Sequence, residues 1–449
     1  MSQEYAGSEL YPTLTVEGKR MLDFMREHPA APAFRNASGN KLLAYEVTRL
    51  IEFEKEVAEA KVGWAADTLP EWVTQFSAEV FATVPYYRML GSPPLRFTDI
   101  APVRRADLAA DIARFVPDHV DVERMINFRT TGTTGNPLLI ASHPLVAGSY
   151  LAFHKRALRC LGVELRHGAG QVGVVLIGFQ RKCFTYVSVT PQMGESGLAK
   201  INLHPNDWRS PNDRAAYLDA MAPEVIAGDP ISFAELLTLP LTVKPRALLS
   251  VSMLLLPGLR RQLEERFGCP VLDIYSLNEV GPVGVYDAHA GGHLLLQPKL
   301  YVEILDEAGG PVTRGQRGEI TLTGGFNFCL PLLRYRTGDY GSLGWHPDGP
   351  VIIGLSGRSP VRFRTLNGAW LNNIDVTHAL RPLAIAHFGF HQLADGSVIL
   401  RLAASALAFG DAARAALAPL FGGQEITVEL LQSEDKTIQY TSELAGAHS

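Results

Sequence analysis

Val172-Gly173-Val174-Val175-Leu176-Ile177-Gly178 is a short, nearly all-apolar run, and it reads as a buried strand. Runs of the same kind recur downstream at Pro223-Glu224-Val225-Ile226-Ala227-Gly228, at residues 246–250 and at Val271-Leu272-Asp273-Ile274. Helical patterns lie between them at 213–221, 232–237 and 258–267. Strands alternating with helices predict α/β architecture with a mainly parallel sheet. After about residue 285 the pattern changes to short strands with turns, at 301–305 and 318–323, which predicts a small β subdomain. Beyond 360 the order reads as helix, two strands joined by Ala394-Asp395-Gly396-Ser397, a helix at 411–420 and a strand at 426–431. That is a compact α+β domain of about 85–90 residues. At the other end, residues 15–80 read as helices broken at His28-Pro29-Ala30-Ala31-Pro32 and Ala37-Ser38-Gly39-Asn40. Leu50, Phe53, Val57 and Ala60 form the clearest stripe there, one core-facing side of a helix.

A chain of 449 residues is too long for one ordinary core, so two or more domains are expected. With 47% hydrophobic and 19% charged residues it is a globular composition, not a disordered one. A net charge of -5 gives no reason to expect nucleic acid or an anionic membrane as partner. No run approaches the roughly 18 apolar residues that span a bilayer. Met1-Ser2-Gln3-Glu4-Tyr5 does not show the basic-then-apolar pattern of a signal peptide. Cys160, Cys183, Cys269 and Cys329 are scattered without metal-like spacing, and a reduced cytoplasmic setting is the expectation.

Upstream of the strand series lies Thr130-Thr131-Gly132-Thr133-Thr134-Gly135-Asn136-Pro137. Two glycines let the backbone approach an anion closely, and the threonine hydroxyls can donate to phosphate oxygens. No Gly-Lys-Ser/Thr closes the loop, so it is not a Walker A sequence. Three segments follow in order: Tyr275-Ser276-Leu277-Asn278-Glu279-Val280-Gly281, Arg334-Tyr335-Arg336-Thr337-Gly338-Asp339, and Gly357-Arg358-Ser359, with Lys436 in Ser433-Glu434-Asp435-Lys436 near the end.

This series resembles the adenylate-forming superfamily, and most closely its phenylacetate-CoA ligase-like branch. Val84-Pro85-Tyr86-Tyr87-Arg88 and Val103-Arg104-Arg105-Ala106-Asp107-Leu108 are similar to two further segments of that branch. The resemblance implies ATP- and Mg²⁺-dependent activation of a carboxylic acid, aryl or arylacetic by likeness, as acyl-AMP, then transfer to coenzyme A. It implies that Thr130, Thr131, Gly132, Thr133, Thr134 and Gly135 hold the β- and γ-phosphates, and that Glu279 is the Mg²⁺ ligand. Tyr275 would stack on adenine beside Ser276, and Asn278 would contact the α-phosphate or the substrate carboxylate. Asp339 would bind the ribose hydroxyls, Arg358 the ribose or phosphate, and Lys436 would bridge carboxylate and α-phosphate. Phe179, Ser252, Met253 and Gly281 are the pocket candidates, with Tyr186 and Phe233 as looser ones. Residues 1–358 would form the adenylation domain, with 1–60 an atypical extension of unassigned role, and 359–449 the small mobile domain that carries Lys436. Relatives are often dimers.

The chain departs from the family pattern at four places. Val251-Ser252-Met253 stands where relatives usually have Gly-Ala-Glu, Asp435 replaces the glycine before the lysine, and no arginine follows Lys436 at the customary spacing. Pro360 occupies the pivot about which the family swings its C-terminal domain. Proline fixes φ and restricts its neighbour, so Pro360 is expected to favour the adenylating orientation. Adenylation with an amine or carrier-protein thiol as acceptor is one alternative; a catalytically silent nucleotide-binding protein is another. Gly168-Ala169-Gly170-Gln171-Val172-Gly173 matches GxGxxG on paper, yet it leads into a strand instead of following one, unlike a dinucleotide fingerprint. His289 and His293 lack convincing third and fourth ligands, and no structural zinc is expected.

Overall fold

The computed structural model describes residues 9–66, 68–129, 138–357, 361–433 and 437–444. They divide into two compact units, one of residues 1–39, 165–273 and 359–449, the other of residues 40–164 and 274–358.

The first unit is built on the strand series that opened the sequence reading. Its sheet runs in the order Tyr186–Thr190, Ser196–Asn202, Val172–Gly178, Val225–Gly228, Ala247–Ser250 and residues 271–273 of Val271–Leu277. All neighbours are parallel except the first pair. Helices Asp213–Met221, Pro230–Leu237 and Pro257–Phe267 make the crossovers that parallel strands require. The expected parallel sheet is borne out, and Val172–Gly178 forms as read. The GxGxxG match ends inside this strand, so it does not open a helix.

Two strands of this sheet carry no strong signal in the sequence. Tyr186–Thr190 and Ser196–Asn202 are mixed in polarity and are joined by a turn through Gly194. They are covered by the N-terminal segment, which thereby gains a structural role. Helix Val16–Glu27 starts at Thr15, whose hydroxyl caps the Gly18 amide at 3.2 Å, while the Thr15 amide donates to Glu195 at 3.0 Å. Its inner face sets Met21, Leu22 and Met25 into the core. A Cβ on Gly197 would lie 2.8 Å from the Met21 sulfur and 2.9 Å from that of Met25, so a larger residue there would have to displace those side chains. Tyr11 donates to the Val187 carbonyl at 3.0 Å, and Tyr217 to that of Met25 at 2.9 Å. Burying side chains of this size contributes about 1.5–3 kcal/mol each.

The C-terminal part of this unit has a four-stranded sheet in the order Ile426–Leu430, Val398–Leu402, Phe388–Gln392 and Tyr440–Ser442, with helices Asn373–Leu380 and Gly410–Leu417. Phe363, Phe388, Phe390 and Phe421 fill its core, which Leu256 joins. The Gly258 amide donates to the Arg381 carbonyl at 3.0 Å, and a Cβ at Gly258 would meet the Leu383 backbone at 2.2 Å. Close backbone approach thus holds this part against the start of Pro257–Phe267.

The second unit holds the short strands with turns read as a β subdomain, and its main sheet is antiparallel. The order is Leu300–Leu305, Gly318–Gly324, Leu332–His346, Gly349–Gly357, Gly292–Leu295, Gly281–Asp287 and residues 274–277. Helix Ala44–Glu59 carries the predicted stripe: Leu50 and Val57 are buried, and Phe53 meets Phe153 of helix Pro144–Cys160 edge-on at 5.7 Å. The 15-residue strand Leu332–His346 is the backbone of the site described next. Tyr87, fully buried, accepts the Leu333 amide at 2.9 Å through its hydroxyl, and Val103–Arg104 pairs in parallel with Tyr335 and Arg336. Both upstream segments that carry the family likeness therefore brace this strand.

Candidate active site

Strand Val271–Leu277 turns at Asn278–Val280 and returns antiparallel as Gly281–Asp287. The turn needs Gly281, whose φ of 76° lies in the left-handed region, and a Cβ there would stand 2.4 Å from the Phe326 ring. The Gln297 side-chain amide donates to the carbonyls of Val280 at 2.7 Å and Pro282 at 2.8 Å, clamping the hairpin from below. Asn278 at the tip is exposed and Ser276 half-buried.

Glu279 points inward and is only 4% exposed. Its Oε1 accepts the Tyr335 hydroxyl at 3.0 Å and the Arg105 guanidinium at 3.4 Å. Among the described residues, Oε2 receives no donor. No group of three or more His, Cys, Asp or Glu that could hold a metal exists among the described residues. Glu279 is thus a lone carboxylate with one oxygen open, which could serve a hard cation as one oxygen ligand.

Asp339 lies within Leu332–His346, just after Gly338 at φ 79°. Tyr275 donates to its Oδ2 at 2.8 Å, and the Asp339 amide donates to Thr337 Oγ1 at 3.0 Å. The Gly338 amide donates to Glu319 at 3.0 Å, and Arg336 donates to the same carboxylate at 2.5 Å. Burial raises the pKa of both Tyr275 and Tyr335 well above the ordinary phenol value, and the facing carboxylates raise it further. Both phenols therefore stay protonated and donate to carboxylates at any working pH. Tyr275 is 8% exposed, so its ring is largely enclosed.

Of the residues singled out in the sequence, Tyr275, Ser276, Asn278, Glu279, Gly281 and Asp339 come together in this unit. Phe179, Ser252 and Met253 belong to the other unit. There Phe179 lies 5.7 Å from the His204 ring and packs on the core, while Ser252 is exposed with a left-handed φ of 72°. Tyr186 sits on its edge strand and Phe233 is wholly buried core. Thr130 to Gly135, Arg358, Pro360 and Lys436 lie outside the described residues. Sequence reasoning missed Arg105 and Tyr335 as partners of Glu279, although both stand in quoted segments. It also missed Asn327, whose amide donates to the Ala141 carbonyl at 3.0 Å and reaches the Glu279 carbonyl at 3.5 Å.

No protein-family model matches the chain. The phenylacetate-coenzyme A ligase of Pseudomonas putida is 39% identical over 85 residues, 18% of this chain and 19% of that protein. The enzyme of the same name from Escherichia coli K12 is 35% identical over 86 residues, 18% of this chain and 20% of that protein. The matched stretch thus spans about a fifth of these curated relatives. A solved structure of 2-hydroxyisobutyryl-CoA ligase, in the postadenylation state with an acyl-AMP (R3-HIB-AMP), aligns over 90% of each chain with a TM-score of 0.59 at 16% identity. At that identity the likeness is one of architecture, and it agrees with the motif series: this chain has the fold of an adenylate-forming ligase.

Proposed function

We propose that this chain activates a carboxylic acid as acyl-AMP and hands the acyl group to the thiol of coenzyme A. The observation that carries the reading is the pairing of both motif carboxylates with phenols inside one sheet, Asp339 with Tyr275 and Glu279 with Tyr335. Phenols held protonated keep these carboxylates oriented, ready for ribose hydroxyls and a hard cation. The partial matches to phenylacetate-CoA ligases favour an aryl or arylacetic acid.

In this reading an oxygen of the acid attacks the α-phosphorus of ATP, the bond to the β-phosphate oxygen breaks, and pyrophosphate leaves. Catalysis is then mainly positioning and charge neutralisation. Thr130, Thr131, Gly132, Thr133, Thr134 and Gly135 hold the β- and γ-phosphates. Asp339 accepts the ribose hydroxyls, and Tyr275, whose hydroxyl holds that carboxylate, stacks on the adenine. Asn278 meets the α-phosphate, Arg358 the ribose or phosphate, and Lys436, in a C-terminal domain of residues 359–449, bridges carboxylate and α-phosphate. Glu279 would hold a Mg²⁺ ion, which when bound would supply charge neutralisation for the phosphates. The thiol sulfur next attacks the acyl carbon, AMP leaves, and the thiol proton passes to solvent. A cytoplasmic setting suits the four unpaired cysteines.

ATP–pyrophosphate exchange against aryl, arylacetic and aliphatic acids tests this. Exchange is expected with one acid class and is expected to fall roughly a hundred-fold in Lys436→Ala, the loss of one transition-state donor. No exchange with any acid, despite ATP binding, would turn the reading to a silent nucleotide-binding protein. Exchange without CoA ester, but with an amide or carrier-bound acyl product, would change the acceptor, which is the outcome that a stiff pivot at Pro360 favours.

A further inference from the structure

Helix Pro144–Cys160 turns one face toward the hairpin that carries Glu279. Phe326 stands against this face, edge-on to Tyr150 with ring centroids 5.2 Å apart and 4.8 Å from Phe153. Phe326 also touches the site where a Gly281 side chain would begin, and the hydroxyl-bearing carbon of Tyr150 lies 3.4 Å from that same point. The phenol end of Tyr150 thus reaches the hairpin two residues from Glu279. His154, one helical turn after Tyr150, has its ring 6.4 Å from the tyrosine ring. Both side chains are half-buried, and no described group hydrogen-bonds to either. Burial lowers the His154 pKa to about 4, so its imidazole is neutral. Burial, then the Glu279 charge, raises that of Tyr150 to about 12. The result is an aromatic wall with a hydroxyl and a neutral imidazole on it, each able to donate or accept one bond.

We infer that Tyr150, His154 and Phe326 select the acid, and that the acid they select is an aromatic one with a hydroxyl or amino substituent on its ring. This rests on the functional reading above. Phe326 supplies an apolar face for an aromatic ring. The phenol and imidazole, to which no described group hydrogen-bonds, disfavour a purely apolar ring, which would strip them of water and return no hydrogen bond. Neither side chain carries charge, and Glu279 lies close by, so a second carboxylate on the substrate is not matched here. A site equipped to bond a substituent discriminates strongly against the analogue that lacks it.

The test compares kcat/KM for ATP–pyrophosphate exchange with phenylacetate, with ring-hydroxylated and ring-aminated phenylacetates, and with the corresponding benzoates. The unsubstituted protein should prefer a hydroxylated or aminated acid by about tenfold or more. His154→Leu and Tyr150→Phe should shrink that ratio toward parity, mainly through KM, and His154→Gln should restore part of it. Exchange that favours the unsubstituted acid in the unsubstituted protein overturns the inference while leaving adenylation standing. So does a ratio that neither Tyr150→Phe nor His154→Leu alters. Absence of exchange with every acid overturns the functional reading, and this inference with it.

Discussion

Replacing Arg334 with methionine is expected to lower the stability of the folded chain by about 3–5 kcal/mol, the cost of leaving one partner of a buried ion pair alone. Arg334 is 1% exposed and lies 3.2 Å from Glu303, itself 8% exposed. Its remaining donors reach the carbonyls of Thr98 at 2.6 Å, Ile100 at 2.7 Å and Gly309 at 3.3 Å. One side chain therefore ties three segments to the strand that carries Asp339, and it does so from a left-handed backbone, φ 49°. Methionine inherits that backbone cost and leaves the three carbonyls and the carboxylate without their donor. The pH dependence has a definite sign. Burial raises the Glu303 pKa above 4.5, against the lowering by Arg334. A carboxyl raised in the folded state favours folding when protonated, and that contribution is lost as pH rises through its folded pKa. Without Arg334 the pKa rises further, so the deficit should be largest at neutral pH and smaller in acid. Urea denaturation at neutral and acidic pH checks this, and Arg334→Met with Glu303→Leu should recover part of the loss. An unchanged midpoint in Arg334→Met, or a double variant no better than the single one, would contradict the account.

Glu279→Gln should reduce pyrophosphate exchange by roughly a hundred- to a thousand-fold, the range for removing one electrostatic contact made at the transition state. Glutamine keeps the length of the side chain and an oxygen for Tyr335, so the hairpin should stand, held as it is by Gln297 and Gly281. What is lost is the charge on an open carboxylate oxygen suited to Mg²⁺. The Mg²⁺ concentration for half-maximal exchange should rise in the same variant. Tyr335→Phe, which removes only the 3.0 Å donor to Oε1, should cost less. A Glu279→Gln enzyme with exchange within tenfold of the parent, and an unmoved Mg²⁺ requirement, would remove Glu279 from the chemistry.

The difference between what was legible in the chain and what was not follows from sequence distance. Val172–Gly178 and residues 271–274 of Val271–Leu277 were readable because a largely buried central strand is mostly apolar. Tyr186–Thr190 and Ser196–Asn202 lie under the N-terminal helix, and their mixed composition hid them. With those strands unread, residues 9–39 had no visible partner. The motif carboxylates and Tyr275 were named from resemblance, but not the pairing of each carboxylate with a phenol. Tyr275 and Asp339 are 64 residues apart, and only the antiparallel order of the second unit brings hydroxyl to carboxylate. Arg105 is 174 residues from Glu279. Its proximity depends on Val103–Arg104 lying beside Tyr335 and Arg336, which no local pattern announces. Tyr150 and His154 read as ordinary members of a helix until Phe326 and the Gly281 turn are placed beside them.

The central claim, that this fold joins a carboxylate to the α-phosphate of ATP, is tested most directly by isotope transfer. The protein is incubated with ATP, Mg²⁺, coenzyme A and an acid whose carboxylate oxygens are isotopically heavy, and the nucleotide and phosphate products are weighed by mass spectrometry. Adenylation predicts AMP that carries one heavy oxygen from the acid, with pyrophosphate unlabelled. ADP as the nucleotide product with the heavy oxygen in inorganic phosphate, or CoA ester formed with unlabelled AMP, would contradict it.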